Sequence, residues 1–148
     1  VSLLGFGLIV WGYGQARLDP SIVWNPPNWT RLVAALLTLP AFVLLAAAYV
    51  PGNRIKAALG HPMVLGIQIW ALAHLLANGR VTDVILFGAF LVWAVLSYKA
   101  ARARDRRAGT RYEVLPGRDA AVIAGGLLAW ALFAFALHRL LIGVAPFG

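Results

Sequence analysis

Residues 82–118 read TDVILFGAFLVWAVLSYKAARARDRRAGTRYEVLPGR, and this stretch decides the fold class. Between Asp83 and Lys99 no charged residue stands. An apolar segment of this kind, at about 1.5 Å of helical rise per residue, suits a bilayer core of roughly 30 Å, which takes about 20 residues to cross. The following part, Lys99 to Arg118, holds seven of the thirteen Lys and Arg residues of the chain. An uncharged apolar block followed by a dense basic block is the pattern of a membrane span and its cytoplasmic flank, because Lys and Arg gather on the cytoplasmic side.

Working outward, the same block structure recurs. Of 148 residues 61% are hydrophobic and 12% charged, and Leu32 to Val50 and Ala120 to Leu137 contain no charge. Five apolar segments follow: Val1 to Gly14, Thr30 to Val50, His61 to Ala77, Thr82 to Ala100, and Asp119 to Ile142. The reading is an all-α, polytopic transmembrane helical bundle with about five visible spans. The first, Val1 to Gly14, is too short to cross and reads as a truncated span, and the whole of residues 1–148 reads as a single membrane domain.

The connections have their own chemistry. Asn78-Gly79-Arg80-Val81 predicts a tight turn that joins the third and fourth segments as a helical hairpin. Pro62 suits the first turn of the third helix, where its missing N–H is harmless. Pro40, in the middle of the second span, removes one hydrogen bond and predicts a bend. Gln15 to Trp29, with Pro20, Pro26, Pro27, Trp24 and Trp29, reads as an ordered cap at the headgroup level. Small residues at Gly5 and Gly12, and at Ala121, Gly125 and Ala129, suggest close helix packing, while Trp93 and Phe133 read as facing the bilayer.

If the connection Lys99 to Arg118 is cytoplasmic, alternation puts Arg54 and Lys56 there too. Nine basic residues then lie inside and four (Arg17, Arg31, Arg80 and Arg139) outside. The C-terminus falls on the outer, periplasmic side of a bacterial inner membrane. The net charge of +8 is therefore a topology signal, with anionic lipid as the partner of the Lys99 to Arg118 loop, and nucleic acid is not expected. No cysteine is present, which excludes disulfides, thiolate metal sites and covalent c-type haem. No phosphate-binding glycine loop, carboxylate pair or nucleophile triad is found.

That leaves three histidines. His61 begins the third helix at the inner face, and His74 lies about 20 Å further along the axis, near the outer face. His138, near the outer end of the fifth segment, shares His74's level. One haem could touch His74 and His138, but not His61 and His74. Met63, Ile67, Trp70, His74 and Asn78 share one helical stripe, and Leu127, Ala131, Ala134 and His138 another. An apolar slot with a neutral imidazole suits a porphyrin or a bacteriochlorophyll. The alternative is that His74 bonds Asn78 or a neighbouring helix, and that His138 faces headgroups. His61, before Pro62, is read first as a helix-start residue and second as a ligand. Asp83 has two readings, a carboxylate favouring the helix dipole or a partner for Arg80 or His74.

At residues 61–63, HPM, and 68–79, QIWALAHLLANG, the sequence resembles the NnrU family of bacterial membrane proteins. Residues 10–14, VWGYG, residues 86–90, LFGAF, and the segment His138 to Pro146 fit as well. The resemblance implies a small multi-span protein associated with nitrite and nitric oxide reduction, distantly related to the haem b-dependent zeta-carotene isomerase of plants and cyanobacteria. His61 and His74 occupy the two matching histidine positions. The family begins with a further histidine-bearing helix that this chain does not show, which leaves room for a ligand outside it. Three functions follow: a haem b-binding bundle in nitrogen-oxide metabolism with His74 and His138 as axial ligands and His61 as a further candidate; a haem-dependent cis-trans isomerase of a polyene; or a non-enzymatic accessory subunit of a larger bioenergetic or pigment complex. Whether the chain is an enzyme is left open by the residues.

Overall fold

The computed structural model describes residues 2–18 and 21–147; Val1, at the start of the first segment, Asp19 and Pro20, in the first connection, and Gly148 lie outside the described residues. The fold is all-helical: α1 Ser2–Ala16, α2 Trp29–Tyr49, α3 Arg54–Leu59, α4 Pro62–Ala77, α5 Val81–Ala108, α6 Arg118–Leu132, and α7 His138–Ile142, with one π-helical turn, Phe133–Leu137, between the last two. The helices α2, α5 and the continuous run Arg118–Ile142 are long and apolar enough to cross a membrane, and α4 is a shorter apolar helix.

The outward surface of these helices is hydrocarbon. Ile85 is 66% exposed, Leu96 61% and Leu128 72%, values that would be unfavourable in water over so large an area but are the expected state against lipid. The buried seam is made of small residues instead. Ala34, Ala41 and Ala47 on α2, Ala71 and Ala73 on α4, and Ala94 and Ala101 on α5 are all buried, which lets the backbones approach closely where lipid provides no hydrophobic drive for association.

The long helix α2 lies at the centre, with α4 packed along one side and α6 along the other, and α5 packs on the far side of α4. Gly66 is the contact point of α2 and α4: a Cβ there would stand 2.9 Å from the Ala41 carbonyl oxygen, one residue past Pro40. Gly126 does the same for α6, where a Cβ would come within 2.6 Å of Val43 Cα. The packing face of α6 is therefore Val122 and Gly126, both buried, and not the Ala121, Gly125, Ala129 series, which is exposed. The expected series is one residue out of register, because small size alone does not say which face of an all-apolar helix turns inward. Likewise a Cβ at Gly5 or Gly12 would meet nothing within 4 Å. Phe133 packs on Phe42, ring centroids 5.6 Å apart, so it belongs to the α2 contact and not to the lipid face. Trp93 is 52% exposed, as expected for a lipid-facing indole.

The connections pair at the two ends of the bundle. At one end the first connection lies on the hairpin turn: Val23 and Trp24 donate to the Gly79 carbonyl, at 2.8 and 3.2 Å, and Val81 donates to Ser21 at 2.9 Å. Gly79 has to be glycine, since a Cβ would run into the Trp24 carbonyl. At the other end Leu115 donates to the Gly52 carbonyl, 2.8 Å, and Arg54 N–H donates to Asp119 at 2.7 Å.

One boundary differs in a way that matters. The basic stretch Lys99 to Arg118 is not a loop throughout: α5 continues through Ala108 and stops where Gly109 takes a left-handed conformation, φ 62°. Alanine, arginine and lysine are strong helix formers, the Arg102–Asp105 pair at 3.7 Å spans one turn, and glycine then caps the end. The true connection is residues 109–117. At about 1.5 Å per residue, α5 is roughly 42 Å long, so its last turns project beyond the hydrocarbon.

Candidate functional site

The three histidines fall into two groups, at opposite ends of α4. His61 is the N-cap residue of α4, with Pro62 in the first helical position, and its side chain makes no capping bond. Its Nε2 instead meets the Asp105 carboxylate of α5 at 3.0 Å. Asp105 also accepts from the Tyr112 hydroxyl at 2.9 Å, and Tyr98 donates to the Leu59 carbonyl at 3.0 Å close by. This network ties α4 to the projecting end of α5 and to the 109–117 connection. Burial and the bond to Asp105 raise the pKa of Tyr112, so its hydroxyl remains a donor at physiological pH. No sequence signal marked Asp105 as the partner of His61, because the residue sits inside what reads as a solvated basic run.

His74 lies at the other end, in the last turn of α4. Its ring is held by two aromatic neighbours: Trp70, one turn earlier on the predicted stripe, with centroids 4.9 Å apart, and Phe87 of α5 at 4.6 Å. Trp70 in turn packs edge-on against Phe87 and Phe90. His74 Nδ1 lies 2.8 Å from the Trp70 carbonyl oxygen. A carbonyl can only accept, so Nδ1 carries the proton and Nε2 keeps its lone pair. Asn78 does not bond the ring; its amide donates to the His74 backbone carbonyl at 2.9 Å and ends the helix.

His138 follows the π-helical turn, its ring edge-on to Phe133 at 5.8 Å. Its Nδ1 lies 2.7 Å from the Val144 carbonyl, so the same argument leaves Nε2 free here too. His138 stands at the same end of the bundle as His74, whereas His61 is engaged at the far end. The π-turn was not visible in the sequence: nothing in Phe133-Ala134-Phe135-Ala136-Leu137 distinguishes it from α-helix, although such turns often occur at functional positions.

Asp83 is neither paired with Arg80 nor bonded to His74. It is in the first turn of α5, 5% exposed, and accepts from the Tyr13 hydroxyl of α1 at 2.5 Å. Since α1 buries none of its described residues, this bond is a large part of what attaches it; hydrogen bonds to charged groups contribute about 1.5–3 kcal/mol. Asp83 also lines a cleft formed by Ile22, Trp24 and Asn25 of the first connection and by Asn78, Gly79 and Arg80 of the hairpin turn.

Among the described residues no three His, Asp or Glu side chains converge to hold a metal ion. The donor set at this end is instead two imidazoles, each with Nδ1 fixed by a main-chain carbonyl and Nε2 free, which is how metal-bound histidines are normally oriented. Axial ligation of a haem takes two nitrogen donors and apolar sides; the two imidazoles here stand on helices that flank α2, each with aromatic neighbours.

The fold and this end of the bundle define a polytopic helical membrane protein with a pair of oriented histidines near one face. The family model described as NnrU protein matches residues 1–146, and the chain belongs to the NnrU family. Neither the curated proteins nor the solved structures give a significant match.

Proposed function

We propose that the chain is an inner-membrane haem b-binding protein, with His74 and His138 as the axial ligands. The observation that carries this reading is the shared state of the two rings: both Nδ1–H groups are tied to carbonyls, at 2.8 and 2.7 Å, so both Nε2 lone pairs are available at the same end of the bundle. His61, committed to Asp105 through Nε2, is a structural residue here and not a ligand. When bound, haem b supplies one-electron redox chemistry. His74 and His138 would hold it through Nε2, and Trp70, Phe87 and Phe133, which pack on the two rings, would be its aromatic neighbours. A place in nitrite and nitric oxide metabolism rests on the family resemblance, not on the geometry of the site.

The orientation proposed is the one that puts the end bearing Arg54, Lys56 and the 99–118 stretch in the cytoplasm, supported by the nine-to-four division of basic residues between the two ends. Arg104, Arg106 and Arg107, exposed on the projecting end of α5, then meet anionic headgroups.

Haem titration of the purified chain tests the ligands. His74→Ala and His138→Ala are each expected to weaken haem binding at least tenfold, and His61→Ala to leave it within about twofold. Equal binding by all three variants would contradict the assignment.

A further inference from the structure

Asp83 stands out because, buried as it is, only the Tyr13 hydroxyl and the N-terminal turn of α5 support its charge. It is a carboxylate in the first turn of a membrane-crossing helix, 5% exposed, and no basic side chain forms an ion pair with it among the described residues. A buried ionisable group within a membrane span is expensive, and its default reading is functional. On its outer side it borders the cleft below the first connection, where Asn25 and Asn78 offer further polar atoms. On its inner side, one helical turn further along the same face of α5, Phe87 packs on the His74 ring. Asp83 is thus placed between a cleft at the bundle end and the His74 site.

The groups that face it are few. Tyr13 of α1 donates to it, Arg17 lies over the Tyr13 ring at 5.8 Å, Arg80 precedes it at the turn, and inward stands His74, whose ring packs on Phe87 one turn further along α5. Hydroxyl and carboxyl groups in contact can pass a proton without separating charge over a long distance: the hydroxyl donates to an ionised carboxylate, and by rotating accepts from a protonated one.

We infer that Asp83, with Tyr13, is a proton-exchanging site that connects the aqueous phase at the outer end of the bundle to the His74 pocket. Hydronium from the aqueous phase gives up a proton in the cleft: one of its O–H bonds breaks, leaving water, as an O–H bond forms on a carboxylate oxygen of Asp83. The same bond breaks when the proton moves inward or returns. Proton exchange at Asp83 stands independently of any cofactor; only its destination rests on the haem reading above.

Dicyclohexylcarbodiimide tests it, because this apolar reagent adds to protonated carboxyl groups in membrane-embedded sites and leaves an N-acylurea that peptide mass spectrometry locates. In the full chain in lipid nanodiscs, Asp83 is expected to be labelled, and Tyr13→Phe, which removes the hydroxyl, to change that labelling at least twofold. Asp83 unlabelled, or labelled to the same extent in Tyr13→Phe, overturns the inference and leaves the pair as a mere tether for α1. For the destination, the reduction potential of the haem-loaded protein should fall with rising pH in the wild type and lose at least half of that slope in Asp83→Asn. An unchanged slope overturns the connection to His74. A chain that binds no haem but labels at Asp83 would refute the haem reading while the proton-exchanging site stands.

Discussion

Gly125 and Gly126 are adjacent and chemically identical, yet they have opposite surroundings. A Cβ at Gly125 meets nothing within 4 Å, and one at Gly126 meets the Val43 backbone at 2.6 Å. Gly126→Ala should therefore cost about 1–3 kcal/mol by forcing α6 away from α2, and Gly125→Ala should be close to neutral; thermal unfolding in detergent distinguishes them. Tyr112 gives a prediction in pH. Its folded-state pKa lies above the unfolded value of about 10, so its contribution is complete below that pH and is lost as pH rises toward the folded value. Tyr112→Phe should flatten the alkaline decline in melting temperature; an identical decline in the variant would show that the bond to Asp105 carries no such linkage. At this scale the sequence was half legible. The His74 stripe with Trp70 was readable from helical spacing, but Tyr13 and Asp83, or His61 and Asp105, are separated by 70 and 44 positions, and no local pattern encodes such pairs.

The helices themselves were nearly all readable, because a span's length and lack of charge are set by the bilayer and not by tertiary detail. The boundaries of α2 and α4 fall within a residue of the apolar segments Thr30 to Val50 and His61 to Ala77. Where reading failed, intrinsic propensity opposed hydropathy. Lys99 to Ala108 is polar enough to look like a loop and helical enough to extend α5, and α3, Arg54–Leu59, is a short helix started by Asn53, whose side chain accepts from Lys56 N–H. Gly109 is expected to be the stop: Gly109→Val, forced into φ 62°, should be strained and lower the melting temperature by a few degrees, whereas Gly109→Asn, which tolerates that conformation, should cost much less. Equal losses would argue against a left-handed cap.

For the whole molecule, the pairing of connections at two ends gives the topology its test. The natural chain has no cysteine, so single substitutions report cleanly. With the basic end in the cytoplasm, Asn28→Cys should react with a membrane-impermeant maleimide in intact spheroplasts, and Arg107→Cys only after permeabilisation; the reverse pattern would invert the orientation. His74, His138 and the Asp83 cleft lie at one end of the bundle and the His61–Asp105–Tyr112 network at the other, so that the proposed cofactor site and the structural clamp occupy opposite ends of α4.

Haem ligation by His74 and His138 is read from the absorption spectrum of the protein purified after haem-sufficient expression. A Soret band is expected in the wild type and in His61→Ala, and is expected to be lost or shifted in both His74→Ala and His138→Ala. A colourless wild-type protein, or a band that neither His74→Ala nor His138→Ala alters, would contradict it.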